Sequence, residues 1–449
     1  MPIVMKFGGT SVADAAAFEN VARIVSADRA ASPIVVVSAM SGVTDSLLAA
    51  TPESVGPIFN RHRTTAGQLL QGSELERFNE FVKRAEADVR ELLHAQDSSN
   101  HKSVQDGVVS FGEILSSTLL AAVLNQRGVE ARQVDARRCI ITDEEHTCAA
   151  PLLSETFART DDGLRPLVES GIVPVLGGFI GATLLGVTTT LGRGGSDYTA
   201  ALIGAALDVD EIQIWTDVTG VLTADPRVVP NSQTIDRLSY SEAAELAYFG
   251  AKVLHPKTIQ PAIENSIPVR ICNSRMPQER GTLVGPQSET SPRTIKAIAH
   301  KTGVTIVQIT SLHMLGAYGF LRALFAVFER HRTVVDVVTT SEVSVSLSLD
   351  EANALPAIVE DLQQLGTVGI EKGRAIICVV GEGLRGTPGI AARVFSTISD
   401  INVSLISQGA SSVNFTFVIG EERVAEAVMR LHEEFFSHEK AEKTQKENS

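Results

Sequence analysis

Cysteine is scarce in this 449-residue chain: four thiols, at positions 139, 148, 272 and 378, form no C-x-x-C pair and have no histidine at zinc-finger spacing. A disulfide framework and a structural zinc site are therefore not expected, and the thiols read as buried and reduced. Basic charge is also in deficit, with a net charge of -14 and a pI near 5.3. Such a chain repels nucleic acid and anionic membranes, so neither is an expected partner, and any anionic substrate must meet a local basic site. Long apolar runs are missing too. The most apolar-looking stretch, 172–187, is broken by Pro174, Gly177, Gly178, Gly181 and Gly186, which argues against a membrane helix. The N-terminus shows no basic segment leading into an apolar one. A cytoplasmic location is expected, with a plastid the alternative if a transit peptide has been removed.

What is present is a globular α/β pattern with glycine-rich turns at strand ends. Ile3-Val4-Met5 runs into Lys6-Phe7-Gly8-Gly9-Thr10-Ser11, a short strand that ends in two glycines and opens a helix. That arrangement points backbone N–H groups at one spot, and Lys6 places a cation beside it, as a nucleotide's outer phosphates require. The spacing is neither that of a P-loop nor G-x-G-x-x-G, and a strand, a Gly-Gly turn and a helix also occur without a ligand. Strands at 34–37 and 172–176 and helical spacing over 12–27 predict a doubly wound α/β layer.

Further along, Ser110-Phe111-Gly112-Glu113 precedes an apolar helical face, which puts Glu113 in a first turn as a capping acid or a ligand. The stretch 53–105 reads as polar and helix-prone, without nameable chemistry. Thr188 to Thr199 places Arg193 among glycines, with Ser196 and Asp197 opening an apolar helix: a second anion-receptive helix start with both charges nearby. The strand 211–215 delivers Thr216 and Asp217 into a Gly/Pro loop that runs through Leu222 to Arg227. Lys252 and His255 follow a helix over 240–250, and a histidine before proline is more often structural. Composition shifts after Ile271 to a Ser/Thr/Pro/Gly-rich linker, and beyond it two βαββαβ units of about 65 to 75 residues follow.

Five motifs in this order, K-F-G-G-T-S, G-R-G-G-S-D-Y-T-A, W-T-D-V-T-G, A-D-P-R and F-G-A-K-V-L-H-P, resemble the aspartate kinases of the amino-acid kinase family. The resemblance covers nearly the whole chain. It implies an amino-acid kinase fold, an open and mainly parallel sheet with helices on both faces, followed by two ferredoxin-like ACT domains. The implied division is a catalytic domain at 1–275, a linker at 276–300, ACT domains at 301–372 and 373–436 that could exchange a strand, and a disordered tail at 437–449. The implied reaction is ATP-dependent phosphorylation of the L-aspartate β-carboxylate, with Mg2+ held mainly through the ATP phosphates and no protein metal cage. Lys6 and Asp197 would be catalytic, and Thr44, Glu113, Arg193 and Ser196 would bind aspartate. ATP would meet Lys6, Phe7, Gly8, Gly9, Thr216, Asp217, Leu222, Arg227 and Lys252, with Leu222 standing where related enzymes often carry tyrosine.

The C-terminal repeats resemble the lysine-sensitive monofunctional class. They imply an effector site at Met314, Gly316, Ala317, Gly319, Phe320, Leu321, Val335, Asp336, Ser341 and Glu342, with Ala317 where some relatives carry serine. Asp336 and Glu342 would suit the ε-ammonium of L-lysine, with threonine the second choice, or else be solvated acids near strand ends. A homodimer through the ACT domains, or a tetramer, is implied. The rival readings are a kinase for acetylglutamate or glutamate and a catalytically silent amino-acid-binding regulator on the same scaffold.

Overall fold

A computed structural model describes residues 2–97, 99–250, 254, 256–286, 294–316, 318–350 and 354–437, which fall into two compact units. The first takes in 1–221, 236–240 and 253–288; the second takes in 222–235, 241–252 and 289–449.

In the first unit the chain runs β1 (Ile3–Phe7), α1 (Ala15–Ala27), β2 (Pro33–Val37), α2 (Val43–Leu48), α3 (Gly56–Leu69), α4 (Gly72–His94), α5 (His101–Gln126), β3 (Ala131–Val134) and β4 (Ile141–Thr142). It continues through α6 (Leu153–Glu169), β5 (Val173–Gly177), β6 (Ile180–Thr183), β7 (Thr188–Thr190), α7 (Gly195–Leu207), β8 (Glu211–Thr216) and β9 (Arg237–Ser239). After α8 (Tyr240–Tyr248), which beyond Tyr240 belongs to the second unit, come α9 (Gln260–Glu264), β10 (Val269–Asn273) and β11 (Thr282–Gly285). Eight strands form one sheet in the order β3-β5-β2-β1-β8-β10-β11-β9, antiparallel only at β10/β11. Apolar β1 and β2 are buried nearly throughout, which is the pattern of parallel strands covered on both faces. Register aligns their ends: Phe7 lies opposite Val37 and Trp215, and Val37 opposite Gly177. The carboxyl ends of four strands therefore meet at one edge, where open α/β sheets bind ligands.

Two expectations change here. The apolar helix predicted to start near Ser110 starts at His101, because Val104 and Val108 already belong to its buried face. Glu113 is thus mid-helix, and its capping role falls away. This 26-residue helix, not 172–187, has the length and apolarity of a membrane span, but 83% of its apolar window is packed inside the unit.

The second unit holds β12 (Ala297–Thr310), α10 (Phe320–Arg330), β13 (Val335–Thr340), β14 (Ser344–Leu349), α11 (Leu355–Gln363) and β15 (Thr367–Val380). Then come α12 (Ile390–Thr397), β16 (Val403–Ser407), β17 (Asn414–Gly420) and α13 (Val424–Phe436). Both βαββαβ repeats share one antiparallel sheet, β13-β14-β12-β15-β17-β16. Its centre is a pair of 14-residue strands, β12 and β15, matched from Ala297↔Val380 to Thr310↔Thr367 around a bulge at 301–306. The first half of β12 thereby completes the second repeat, and the first half of β15 completes the first. The stretch expected to be a linker at 276–300 is correspondingly not all linker. It contains β11, paired in the first sheet, and the start of β12, whose short apolar runs are masked by Ser/Thr/Gly-rich surroundings. Residues 287–293 and 438–449 lie outside the described residues.

Candidate active site

Strand pleating sorts β1: Phe7 is fully buried and stacks on Trp215 at 5.8 Å, while Lys6 faces the other way. Lys6 Nζ lies 2.7 Å from Asp197 Oδ1, joining the end of β1 to the first turn of α7. Ser196, one residue earlier, receives a hydrogen bond from Ser38 Oγ at 3.1 Å, at the end of β2. This close approach needs glycine at 178, where a Cβ would sit 2.7 Å from Ser196. Arg193 projects from a turn whose flanking residues, Gly192 and Gly194, have φ of 74° and 76°, a left-handed conformation that side chains resist. Arg193 is exposed and has no ion-pair partner among the described residues.

From α5, Glu113 enters the same place. Its Oε1 accepts the Ala39 N–H at 3.1 Å, and its Oε2 has no hydrogen-bond partner among the described residues. Burial pushes this carboxyl up to about 8, because an ionised form would lose water that the backbone N–H groups of Ala39 and Glu113 do not replace. These groups line one cavity of about 430 Å³: Lys6, Thr44, Glu113, Arg193, Ser196 and Asp197, all anticipated from the sequence. Ser38, Gln105, Asp106, Phe179 and Thr190 line it too and were not anticipated. For Ser38 a signal existed, since it directly follows the apolar run of β2 at the ligand-binding edge.

The residues anticipated for the nucleotide are placed less uniformly. The Gly8 N–H donates to Trp215 O at 3.1 Å, which holds the glycine turn beside the end of β8. Phe7 can offer only its backbone, its ring being core. Thr216 is half-buried and donates to Asp217 Oδ1 at 3.2 Å, and Asp217 is exposed. Leu222 and Arg227 belong to the second unit, where Arg227 forms a two-pronged pair with Asp225 at 2.6 and 3.0 Å. Lys252, like His255, lies outside the described residues.

The amino acid kinase family model matches residues 1–273 of this chain. The chain belongs to that family. An ACT domain model matches residues 377–435. The kinase is 38% identical to the lysine-sensitive aspartokinase 3 of Escherichia coli over 97% of this chain and 99% of that protein. It is 39% identical to the chloroplastic aspartokinase 3 of Arabidopsis thaliana over 98% of this chain and 82% of that one, and so is a member of the aspartokinases. Its fold matches E. coli aspartokinase III solved with aspartate and ADP, with a TM-score of 0.81 at 36% identity over 97% of this chain and all of that one. The same enzyme solved with lysine and aspartate matches with a TM-score of 0.82 at 37% identity over 97% and 99% of the two chains.

In the kinase's second unit, Met314, Phe320 and Val335 pack at the edge of the first repeat's core, and Leu321 is exposed. Gly316 and Gly319 are left-handed, Gly319 capping α10. Ser341 Oγ lies 2.7 Å from Ser344 Oγ, and Glu342 is exposed without a partner among the described residues. Ala317 lies outside them. Asp336 is not the solvated acid of the alternative reading. Its side chain is 1% exposed, its Oδ2 accepts from Lys301 Nζ at 2.9 Å, and its Oδ1 accepts from the Tyr248 hydroxyl. The sequence could not reveal this, because Lys301 reaches Asp336 from the bulge in β12 and Tyr248 from α8.

Proposed function

We propose that this aspartokinase transfers the γ-phosphoryl group of ATP to the β-carboxylate of L-aspartate, giving 4-phospho-L-aspartate, and that L-lysine inhibits it through the C-terminal repeats. The observation carrying the reading is that the Lys6–Asp197 pair, Glu113 and Arg193 line one cavity at the carboxyl edge of the sheet. Arg193 forks onto the substrate's α-carboxylate, Glu113 receives its α-ammonium, and Thr44 and Ser196 complete the grip, which leaves the β-carboxylate to face Lys6. That carboxylate is already a nucleophile, so no general base is needed. Catalysis reduces to bringing two anions together, and Lys6 with the N–H groups of the Gly8-Gly9 turn neutralises the charge on the transferring phosphoryl.

ATP is assigned to the backbone of Phe7, Gly8 and Gly9, with Thr216 and Asp217. No three His, Cys, Asp or Glu side chains converge into a metal cage among the described residues. Mg2+, which keeps several waters, would be held mainly through the ATP phosphates, with exposed Asp217 a carboxylate at hand. When bound, it offsets charge on the phosphates. The first unit would carry catalysis and the repeats from β12 to α13 the regulation, in a cytoplasmic homodimer or tetramer serving the first step of lysine, threonine and methionine synthesis. The test is aspartate- and Mg-ATP-dependent ADP release, with glutamate and acetylglutamate as alternative acceptors. Absence of aspartate-dependent release would refute the proposal.

Inhibition needs an effector that binds the inactive state more tightly, typically by about 1 to 3 kcal/mol. Lysine is expected to inhibit in a titration against the assay and threonine to do so weakly, and no response to lysine would reject it as effector. Because Asp336 is already held by Lys301, an incoming ε-ammonium exchanges with an internal one. Lys301→Met is therefore expected to lower the half-inhibitory lysine concentration several-fold. Unchanged sensitivity would show that the ammonium docks elsewhere.

A further inference from the structure

Asp106 carries the strongest unassigned chemistry in the first unit. It is 1% exposed, yet it lines the cavity seven residues before Glu113, on the same face of α5. Its Oδ1 accepts from Thr190 Oγ1 at 2.6 Å; its Oδ2 accepts from the Thr147 N–H at 3.0 Å and lies 2.8 Å from His146 Nδ1. One carboxylate thus fastens α5 both to the end of β7 and to the loop at 143–150. These two segments are joined to each other as well, by the Ala149 N–H donating to Thr190 O at 2.9 Å. Thr147 has φ of 73°, a conformation that a β-branched residue keeps only where its surroundings over-determine it, and Asp106 holds its amide. Arg193 stands three residues after Thr190, and a Cβ on the intervening Gly192 would lie 3.3 Å from Thr147 O.

We propose that Asp106 is a positioning residue that fixes the Arg193 turn relative to Glu113, and so sets the spacing at which the amino acid's two charged groups are gripped. Its near-complete burial and three partners leave it no direct role on substrate. The inference rests on the assignment of Arg193 to the α-carboxylate. Misplacing a binding fork by about an ångström costs up to about 10²-fold, so Asp106→Ala is expected to raise KM for aspartate by about 10- to 100-fold. KM for ATP should stay within about twofold, since the nucleotide is assigned to other segments. Asp106→Asn should recover most of the loss, because an amide can accept from Thr147 and His146 while donating to Thr190 Oγ1.

Thr190→Ser should behave like the parent and Thr190→Val like a milder Asp106→Ala, which keeps the test available if the alanine variant does not fold. Adding Asp106→Ala to Arg193→Ala should raise KM no further than Arg193→Ala alone. Equal losses in the alanine and asparagine variants, or a parental KM for aspartate in Asp106→Ala or Thr190→Val, overturn the positioning role. A parental KM in Arg193→Ala overturns instead the substrate assignment on which it rests.

Discussion

Lys6→Ala is expected to lower turnover by about 10²-fold or more, the usual cost of losing one preorganised donor aimed at developing charge. Two features argue that the loss sits at the upper end. Lys6 is only 12% exposed, so its charge acts where water screens it poorly. Its removal also leaves Asp197, 17% exposed and 2.7 Å from the missing ammonium, as an unbalanced anion beside an incoming triphosphate. Asp197→Ala placed on the Lys6→Ala background should therefore restore part of the ATP affinity. Steady-state kinetics at saturating aspartate and Mg-ATP, with thermal unfolding as the control for folding, reads both effects. Near-normal turnover in a folded Lys6→Ala variant would remove Lys6 from the mechanism.

Lys6 was legible in the sequence for a local reason: an apolar run followed by a lysine and two glycines favours a strand that ends in a turn. The same holds for Arg193, Ser196 and Asp197, where glycines on both sides of a cation leave little choice but a tight turn into a helix. Asp106 was not legible, because a polar residue in a helix-prone stretch carries no mark of burial, and its partners are 40 to 84 residues away in sequence. Glu113 was placed on the wrong part of its helix, since the polar residues at 101–105 disguise where α5 begins. The repeats were recognisable from alternating strands and amphipathic helices. Their shared sheet was not, because the middle of each long strand is polar, at Lys301 to Gly303 and Glu371 to Gly373, and reads as a break between elements. The pairing of Asp336 with Lys301 depends on the bulge in β12, a feature set by cross-strand geometry rather than by local composition.

Glu113 yields the second large effect, and its sign follows from burial. A carboxyl raised to about 8 in the folded chain is protonated at neutral pH, while in the unfolded chain it ionises near 4.5. Between those values the folded state binds more protons, so this group makes stability fall as pH rises from about 4.5 to 8, by about 4 to 5 kcal/mol in all. Glu113→Gln should abolish that dependence and leave the protein more stable than the parent above pH 8. Substrate reverses the preference: an α-ammonium beside Oε2 favours the ionised carboxylate, so aspartate binding near pH 7 should release close to one proton. Aspartate affinity should rise about tenfold per pH unit towards 8 and level off beyond it, since protonated Glu113 must first lose its proton. Titration calorimetry in buffers of different ionisation enthalpy measures the release. Glu113→Gln should release none, show a flat affinity profile and bind aspartate about 10- to 100-fold more weakly than the parent at pH 8, the scale of one lost charged hydrogen bond. A parental proton release in that variant would mean that another group titrates with the substrate. Parental affinity would mean that the ammonium is held elsewhere.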